Sequence, residues 1–134
     1  MYNFSKEERL CNVRLIDKLY HSGSSFLLYP FRIVWLPEPL STTRPVQVLI
    51  SVPKKKFKRA VDRNLLKRRM REIYRLQKFE HLYPFFTERS ASIILGINYI
   101  GNEIGEYSFM EKKFNAAILK LKKVYLENHV EQGN

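Results

Sequence analysis

The chain has 134 residues, of which 45% are hydrophobic and 13% aromatic, so it can bury one core and is too apolar to be disordered over most of its length. Its 24 lysines and arginines against 13 acids give a net charge of +11, which points to a polyanionic partner, either a nucleic acid or an anionic membrane surface. The single cysteine excludes a disulfide framework and fits a reducing, cytoplasmic compartment. No apolar run is long enough to span a bilayer.

The amino-terminal part of the chain has the pattern of a helix. Ser5 and Glu8 have the spacing of a capping box, and apolar residues at helical intervals follow them. Gly23 supplies a stop signal. We therefore predict a first helix over residues 6–21.

Aromatic and β-branched residues dominate the next segments, which is typical of strands. Pro30 interrupts the first of these segments and marks an edge or a bend. The predicted strands cover residues 26–29, 31–36 and 46–52.

Helical periodicity returns after the third strand. A helix is predicted over residues 60–79, with a packing face made of Val61, Leu65, Leu66, Met70, Ile73 and Leu76. Residues 91–98 have the composition of a buried strand. A capping box at Ser108 then predicts a last helix, with an inward face made of Met110, Phe114, Ala117, Ile118, Leu121 and Tyr125. The tail should fray after about residue 128.

These elements predict a single α+β domain over residues 1–134, a two-layer sandwich with the order αβββαβα. No internal repeat and no linker-like segment divides the chain.

Most of the charge is concentrated in one segment. Residues 54–75 contain eleven basic side chains and two acidic ones, so they carry +9 of the total +11. On the predicted helix, Arg63, Lys67, Arg71 and Arg75 form an i, i+4 stripe opposite the packing face. Stacked like charges destabilise an isolated helix, which favours an external anion such as a nucleic-acid backbone. A membrane surface fits less well, because the opposite face has the composition of a protein core.

No residue pattern predicts a catalytic or metal site. The only aspartates, Asp17 and Asp62, are far apart in sequence, whereas a two-metal nuclease needs several convergent carboxylates. The histidines, His21, His81 and His129, have no spacing suited to a metal site or an acid–base pair. Cys11 has no partner motif.

The basic segment also carries a specific motif. Ser51-Val52-Pro53-Lys54-Lys55, followed by Arg59-Ala60-Val61-Asp62-Arg63-Asn64-Leu65-Leu66-Lys67-Arg68-Arg69-Met70-Arg71-Glu72, resembles the signature of the bacterial ribonuclease P protein component. The similarity extends over about residues 5–125. The chain has Leu65 where the family usually has a second arginine, and its linker at residues 56–58 is one residue longer.

The resemblance implies the fold of a small-subunit ribosomal protein domain, with a left-handed strand–helix–strand crossover through the basic helix. It also implies that the protein has no active site of its own and serves a catalytic RNA, which removes the 5′ leader of precursor tRNA using magnesium. No cofactor is expected on the protein itself. The implied RNA-binding residues are Lys54, Lys55, Lys58, Arg59, Arg63, Asn64, Lys67, Arg68, Arg71 and Arg75.

A cleft between the first helix and the sheet should hold the leader, by the same resemblance. Tyr20 ends the predicted first helix and Phe26 starts the first strand, so both rings can border that cleft. The alternative is that the rings belong to the core; this applies to Phe26 more than to Tyr20, whose hydroxyl favours a partly solvated site. Aromatic side chains beside cations commonly stack on single-stranded RNA.

Two other functions remain open from the residues alone. A structural RNA-binding protein of the ribosomal type needs the same basic face without turnover. A stand-alone endonuclease needs carboxylates, which are scarce here.

Overall fold

A four-stranded mixed sheet lies at the centre of the fold. The computed structural model describes the backbone of residues 4–133 and the side chains of residues 4–128. The strands are β1 (Ser24–Leu28), β2 (Phe31–Pro37), β3 (Val46–Ser51) and β4 (Ile93–Tyr99). They lie in the order β1-β2-β4-β3, with β1/β2 and β2/β4 antiparallel and β3/β4 parallel.

Among the described residues, four α-helices accompany the sheet, and two of them lie in its longest connection, from β3 to β4. The helices are α1 (Val13–Ser22), α2 (Ala60–Gln77), α3 (Tyr83–Glu88) and α4 (Tyr107–Gly133). The mixed α+β class and the predicted order of the main elements are confirmed. Helix α2 lies in the connection between the parallel strands β3 and β4, as the resemblance implied. The left hand of this crossover stays an expectation.

Helices cover both faces of the sheet, although unequally. Buried side chains of α2 and α4 pack with those of β2, β3 and β4 to form the larger core. Leu19 of α1 packs on the opposite face, against Val34 and Ile94. The predicted two-layer sandwich therefore has an additional, partial layer, and α1 leaves part of its face of the sheet open.

The start of the chain differs from the prediction. The capping box between Ser5 and Glu8 is present, but it opens a single 3₁₀ turn, Lys6–Glu8. Arg9 is extended and pairs with Val48 as an isolated parallel bridge. Helix α1 begins only at Val13, where the Asn12 side chain accepts the N–H of Leu15 at 3.2 Å.

A buried ion pair explains this interruption. The Glu8 carboxylate accepts hydrogen bonds from Lys78 Nζ at 2.5 Å and from the Tyr83 hydroxyl, and Ser5 donates its N–H at 3.0 Å. The side chains of Glu8 and Lys78 have no exposed surface. The chain is thus held against the end of α2 and continues along β3, which a helix over residues 6–21 could not do.

The predicted helix over residues 60–79 ends earlier than expected. Helix α2 stops at Gln77 and passes into a π-helical turn, Lys78–Leu82, and then into the short α3. Pro84 lies in the first turn of α3, where its missing N–H is tolerated. The sequence predicts neither the π-helical turn nor α3.

The packing face of α2 is rotated relative to the predicted one. Leu66, Met70 and Ile73 are buried as expected, and Tyr74 is buried as well. Val61, however, is 58% exposed, so its predicted place in the core is wrong. The face rotates because Tyr74 inserts into the aromatic core beside Phe114.

The carboxyl-terminal elements largely follow the prediction. The six side chains predicted to face inward from the last helix are all buried. Helix α4 begins at Tyr107, one residue before the predicted cap, so Ser108 lies inside its first turn. Its backbone is helical to Gly133; fraying after residue 128 stays a prediction, and the His129 side chain lies outside the described residues.

Candidate nucleic-acid interface

The basic loop between β3 and α2 projects from the fold. Lys54, Lys55, Lys58 and Arg59, all in the predicted RNA-binding set, are exposed. Lys56, in the same loop, donates to the carbonyl of Ile100 at 2.6 Å. The loop is thereby fastened to the end of β4, while the other cations remain accessible.

The stripe predicted on α2 forms, but its members differ in their contacts. Arg63 donates to the carbonyls of Phe57 and Lys58 at 2.8 and 2.9 Å, so it ties the loop to the helix. Arg75 pairs with Glu72 at 2.6 Å. The two end members of the stripe, Arg63 and Arg75, therefore already make hydrogen bonds within the protein.

The middle of the stripe is accessible to a partner. Lys67, Arg68 and Arg71 make no hydrogen bond or ion pair with the residues that the structure describes, and Arg68 and Arg71 are exposed. Asn64 is exposed one turn before Arg68. The predicted RNA-binding residues of α2 that make no hydrogen bond or ion pair with a described residue therefore lie together, on consecutive turns of the helix.

Leu65, where the family usually has a second arginine, does not lie in the core. It is half-buried and lines a shallow groove with Arg68, Arg69 and Tyr107. Arg69 donates to the carbonyl of Gly105 at 2.5 Å. This guanidinium fastens the segment before α4, and the groove beside it is partly apolar.

The open face of the sheet beside α1 carries a polar group that the sequence analysis missed. The Tyr20 hydroxyl donates to Asn98 Oδ1 at 2.8 Å, and Asn98 Nδ2 donates to the carbonyl of Arg32 at 3.3 Å. Burial raises the pKa of Tyr20, so its hydroxyl stays protonated at neutral pH. Tyr20 as a whole residue remains 39% exposed.

Gly96 makes room for this arrangement. A Cβ at Gly96 would lie 2.8 Å from the Tyr20 hydroxyl oxygen, closer than such contacts allow. The signal in the sequence was the polar and small residues, Gly96 and Asn98, at alternate positions of an otherwise apolar strand. Alternate residues share one face of a strand, so this pattern indicates an interruption of the packed face.

The expectation that Phe26 borders the same cleft as Tyr20 is wrong. Phe26 pairs with Ile33 in the strand register and packs against the larger core, on the face covered by α4. Lys120 Nζ lies 5.0 Å from its ring centroid. Side chains alternate between the faces of a strand, so Leu27, which pairs with Arg32, lies on the α1 face instead, where it is 64% exposed.

The described residues contain no group of three or more His, Cys, Asp or Glu side chains that could hold a metal ion. His21 lies in α1 and His81 in the π-helical turn after α2, and both are exposed. No helix among the described residues has the length and hydropathy needed to cross a bilayer. The groups that the site does present are the exposed cations of α2 and of the loop before it, which suit anions, and the partly exposed Tyr20, which suits aromatic rings.

Comparisons with known proteins agree with the motif on α2. The family model for ribonuclease P matches residues 4–95. A ribonuclease P protein component from Porphyromonas gingivalis is 30% identical over 120 residues, which cover 90% of this chain and 87% of that protein. One from Chlorobaculum tepidum is 65% identical over 34 residues, covering 25% of this chain and 22% of that protein.

Solved structures show the same fold. The RNase P protein of Staphylococcus aureus superposes with a TM-score of 0.67 at 20% identity, covering 87% of this chain and 96% of that chain. The RNase P protein of Thermotoga maritima gives 0.64 at 20% identity, covering 83% and 94%. With the family match over more than half of its length, the chain belongs to the ribonuclease P protein family.

Proposed function

We propose that this protein is the protein subunit of a ribonuclease P ribonucleoprotein, which removes the 5′ leader from precursor tRNA. The observation that carries the proposal is the set of accessible cations on consecutive turns of α2, in a segment with a net charge of +9. In this proposal the catalyst is the RNA subunit, and magnesium acts through that RNA. The protein contributes binding only, in the cytoplasm.

The RNA subunit binds along α2 and the loop before it. Lys67, Arg68 and Arg71 reach phosphates along one side of the helix, and binding releases the counterions of those phosphates. Arg59 provides no side-chain cap for α2, so N–H groups of the first helical turn are also available to an anion. Arg63 contributes by holding the loop in place.

The leader of precursor tRNA lies in the cleft beside α1. The exposed ring of Tyr20 stacks on an unpaired base, and the Arg32 guanidinium, exposed on the same face of the sheet, offers a charge to the leader backbone. Asn98 and Gly96 position the Tyr20 hydroxyl. Phe26 has no part in this cleft.

One assay tests the proposal against the two alternatives. Precursor tRNA is incubated with protein alone, with the RNA subunit alone, and with both, over a range of magnesium concentrations. We expect no cleavage by protein alone and a lower magnesium requirement when both are present. Cleavage by protein alone would identify an endonuclease, whereas RNA binding without any effect on cleavage would identify a structural RNA-binding protein.

A further inference from the structure

A cavity of about 300 Å³ opens at the outer edge of β3. Three separate parts of the chain line it. The amino-terminal segment contributes Phe4, Arg9 and Cys11, β3 contributes Ile50, and α2 contributes Arg71. None of these residues except Arg71 belongs to the interface proposed above.

The edge of β3 is open beside this cavity. Among the described residues, the amino-terminal segment pairs with β3 at Arg9 and Val48, where the Leu10 N–H donates to the Val48 carbonyl at 2.9 Å. The chain then leaves the edge to enter α1. Backbone groups two residues apart on a strand point the same way, so Ile50 directs its N–H and C=O to the same side as Val48, toward the cavity.

Two arginines from different elements, Arg9 and Arg71, line the cavity, and none of its lining residues within the described part of the chain is acidic. Arg9 donates to the carbonyl of Phe4 at 3.2 Å and lies 5.4 Å from the Phe4 ring centroid, so it is held in place while its surface remains exposed. Arg71 is exposed and makes no hydrogen bond or ion pair with a described residue. The cavity therefore combines two positive groups with an apolar wall made by Phe4 and Ile50.

We propose that this cavity binds one nucleotide of an unpaired RNA strand, with its phosphate between Arg9 and Arg71 and its base against Phe4 and Ile50. A duplex presents phosphates but keeps its bases stacked inside, so it cannot use the apolar wall. A single strand offers both groups. The inference rests on the proposed function of α2, because Arg71 also belongs to the stripe on that helix. The RNA strand enters the cavity from the side of α2.

Cys11 provides a direct probe, because it is the only cysteine of the chain, is exposed, and lines the cavity. The full chain is treated with iodoacetamide, with and without a short oligouridylate or an RNA hairpin whose nucleotides are nearly all paired. With oligouridylate at about ten times its Kd, alkylation should slow about tenfold, because about one tenth of the protein stays free. The hairpin, at the same multiple of its own Kd, should leave the rate nearly unchanged.

Matched variants distinguish binding in the cavity from a general effect of positive charge on RNA affinity. Arg9→Gln should weaken oligouridylate binding about tenfold, as expected for one charge-assisted hydrogen bond. At the same oligouridylate concentration about half of this variant stays free, so protection of Cys11 should fall to about a twofold slowing of alkylation. Lys6→Gln removes the same charge from the same exposed segment outside the cavity, and should preserve both. Arg71→Gln, on a different element, should behave like Arg9→Gln, so that a local unfolding of the amino-terminal segment cannot explain the result.

Equal protection by the hairpin, equal effects of Arg9→Gln and Lys6→Gln, or an unreactive Cys11 in the free protein would each overturn the cavity assignment. Binding of the RNA subunit and cleavage of precursor tRNA are measured on the same proteins. If the unmodified protein binds the RNA subunit and supports cleavage normally but oligouridylate does not protect its Cys11, the cavity proposal fails and the proposed function stands. If the unmodified protein binds neither RNA, both fail together.

Discussion

At the scale of single residues, the proposed leader cleft makes Tyr20 the position whose replacement should affect precursor tRNA and spare mature tRNA, because only the precursor has a leader. Tyr20→Ala should weaken binding of precursor tRNA to the assembled ribonucleoprotein by about 1–3 kcal/mol, the usual value for one stacked base. Tyr20→Phe keeps the ring and should lose much less. Both affinities can be measured by filter binding.

The control for this pair is Val13→Ala, on the same helix, since Val13 is 73% exposed and lies away from the Asn98 contact. It should bind both tRNAs normally. An equal loss for precursor and mature tRNA in Tyr20→Ala would show a defect in folding or in RNA-subunit binding, and the cleft assignment would be withdrawn.

Glu8 has a structural role at the same scale. Burial raises the pKa of Glu8, but the hydrogen bonds from Lys78, Tyr83 and Ser5 together lower it below its ordinary value. Glu8→Gln leaves the Lys78 charge buried without its counter-ion, which should reduce the free energy of unfolding by about 3 kcal/mol. The double variant Glu8→Met/Lys78→Met should lose less free energy of unfolding than the sum of the losses of Glu8→Met and Lys78→Met alone. Urea titrations of these three variants and the unmodified protein measure this coupling.

The pH dependence of stability follows from the same carboxylate. Because the pKa of Glu8 is lower in the folded than in the unfolded state, its stabilisation is complete above the unfolded pKa and is lost as the pH falls through the folded pKa. Unfolding between about pH 7 and about pH 4 should therefore show a smaller drop in stability for Glu8→Gln than for the unmodified protein. An identical drop in both proteins would contradict the low pKa of Glu8.

At the scale of elements, α2 is a scaffold with one face in the core and another available to RNA. Arg68→Ala and Arg71→Ala should each weaken binding of the RNA subunit and reduce the slope of log affinity against log salt by about one ion. Their free energies of unfolding should change by no more than about 0.5 kcal/mol, since both side chains are exposed.

Lys112→Ala is the matched control for these two variants, because it removes an exposed positive charge from α4. It should leave the salt slope of RNA-subunit binding unchanged. The assignment of the stripe fails if all three variants show the same slope, since the effect would then come from net charge alone.

The sequence predicts those elements that depend on periodicity and misses those that depend on distant contacts. The six inward positions of α4 follow from helical spacing alone. The break between Glu8 and Val13 depends on Lys78, which lies 70 residues away in the sequence, and no local pattern indicates it. Phe26 was assigned to the wrong face because side chains alternate along a strand, and the sequence does not say which of the two faces turns toward α1 until the packing of the sheet is known.

The predicted cations of the interface were easier to find than the cleft. Charge along an amphipathic helix is visible in the sequence, and the exposed side chains of Arg68 and Arg71 and the partly exposed Lys67 follow from it. The cleft instead depends on Asn98 and Gly96 meeting Tyr20 across the fold, at a sequence separation of 78 residues for the hydrogen bond. The π-helical turn at Lys78 is likewise tied to the buried ion pair, which no residue spacing reveals.

At the scale of the whole molecule, the uneven charge has opposite consequences for folding and for binding. The segment 54–75 carries +9 while the other residues contain 13 basic and 11 acidic side chains, so repulsion is concentrated around α2. Salt screens this repulsion and thereby stabilises the free protein. Salt also weakens the attraction between the same cations and RNA phosphates, and thereby lowers the affinity for RNA.

Raising the concentration of potassium chloride from a low value should therefore raise the Tm of the free protein and lower its affinity for the RNA subunit. Both can be followed on one preparation, by thermal melting and by filter binding. A variant with Lys67→Gln and Arg71→Gln should flatten both dependences, because it removes two of the accessible charges of the stripe, whereas neutralising Lys112 and Lys123 on α4, both exposed, should flatten neither. If the Tm of the unmodified protein falls or stays constant while the affinity still declines, the stripe is not self-repelling in the free state, and relief of that repulsion cannot be part of the driving force for RNA binding.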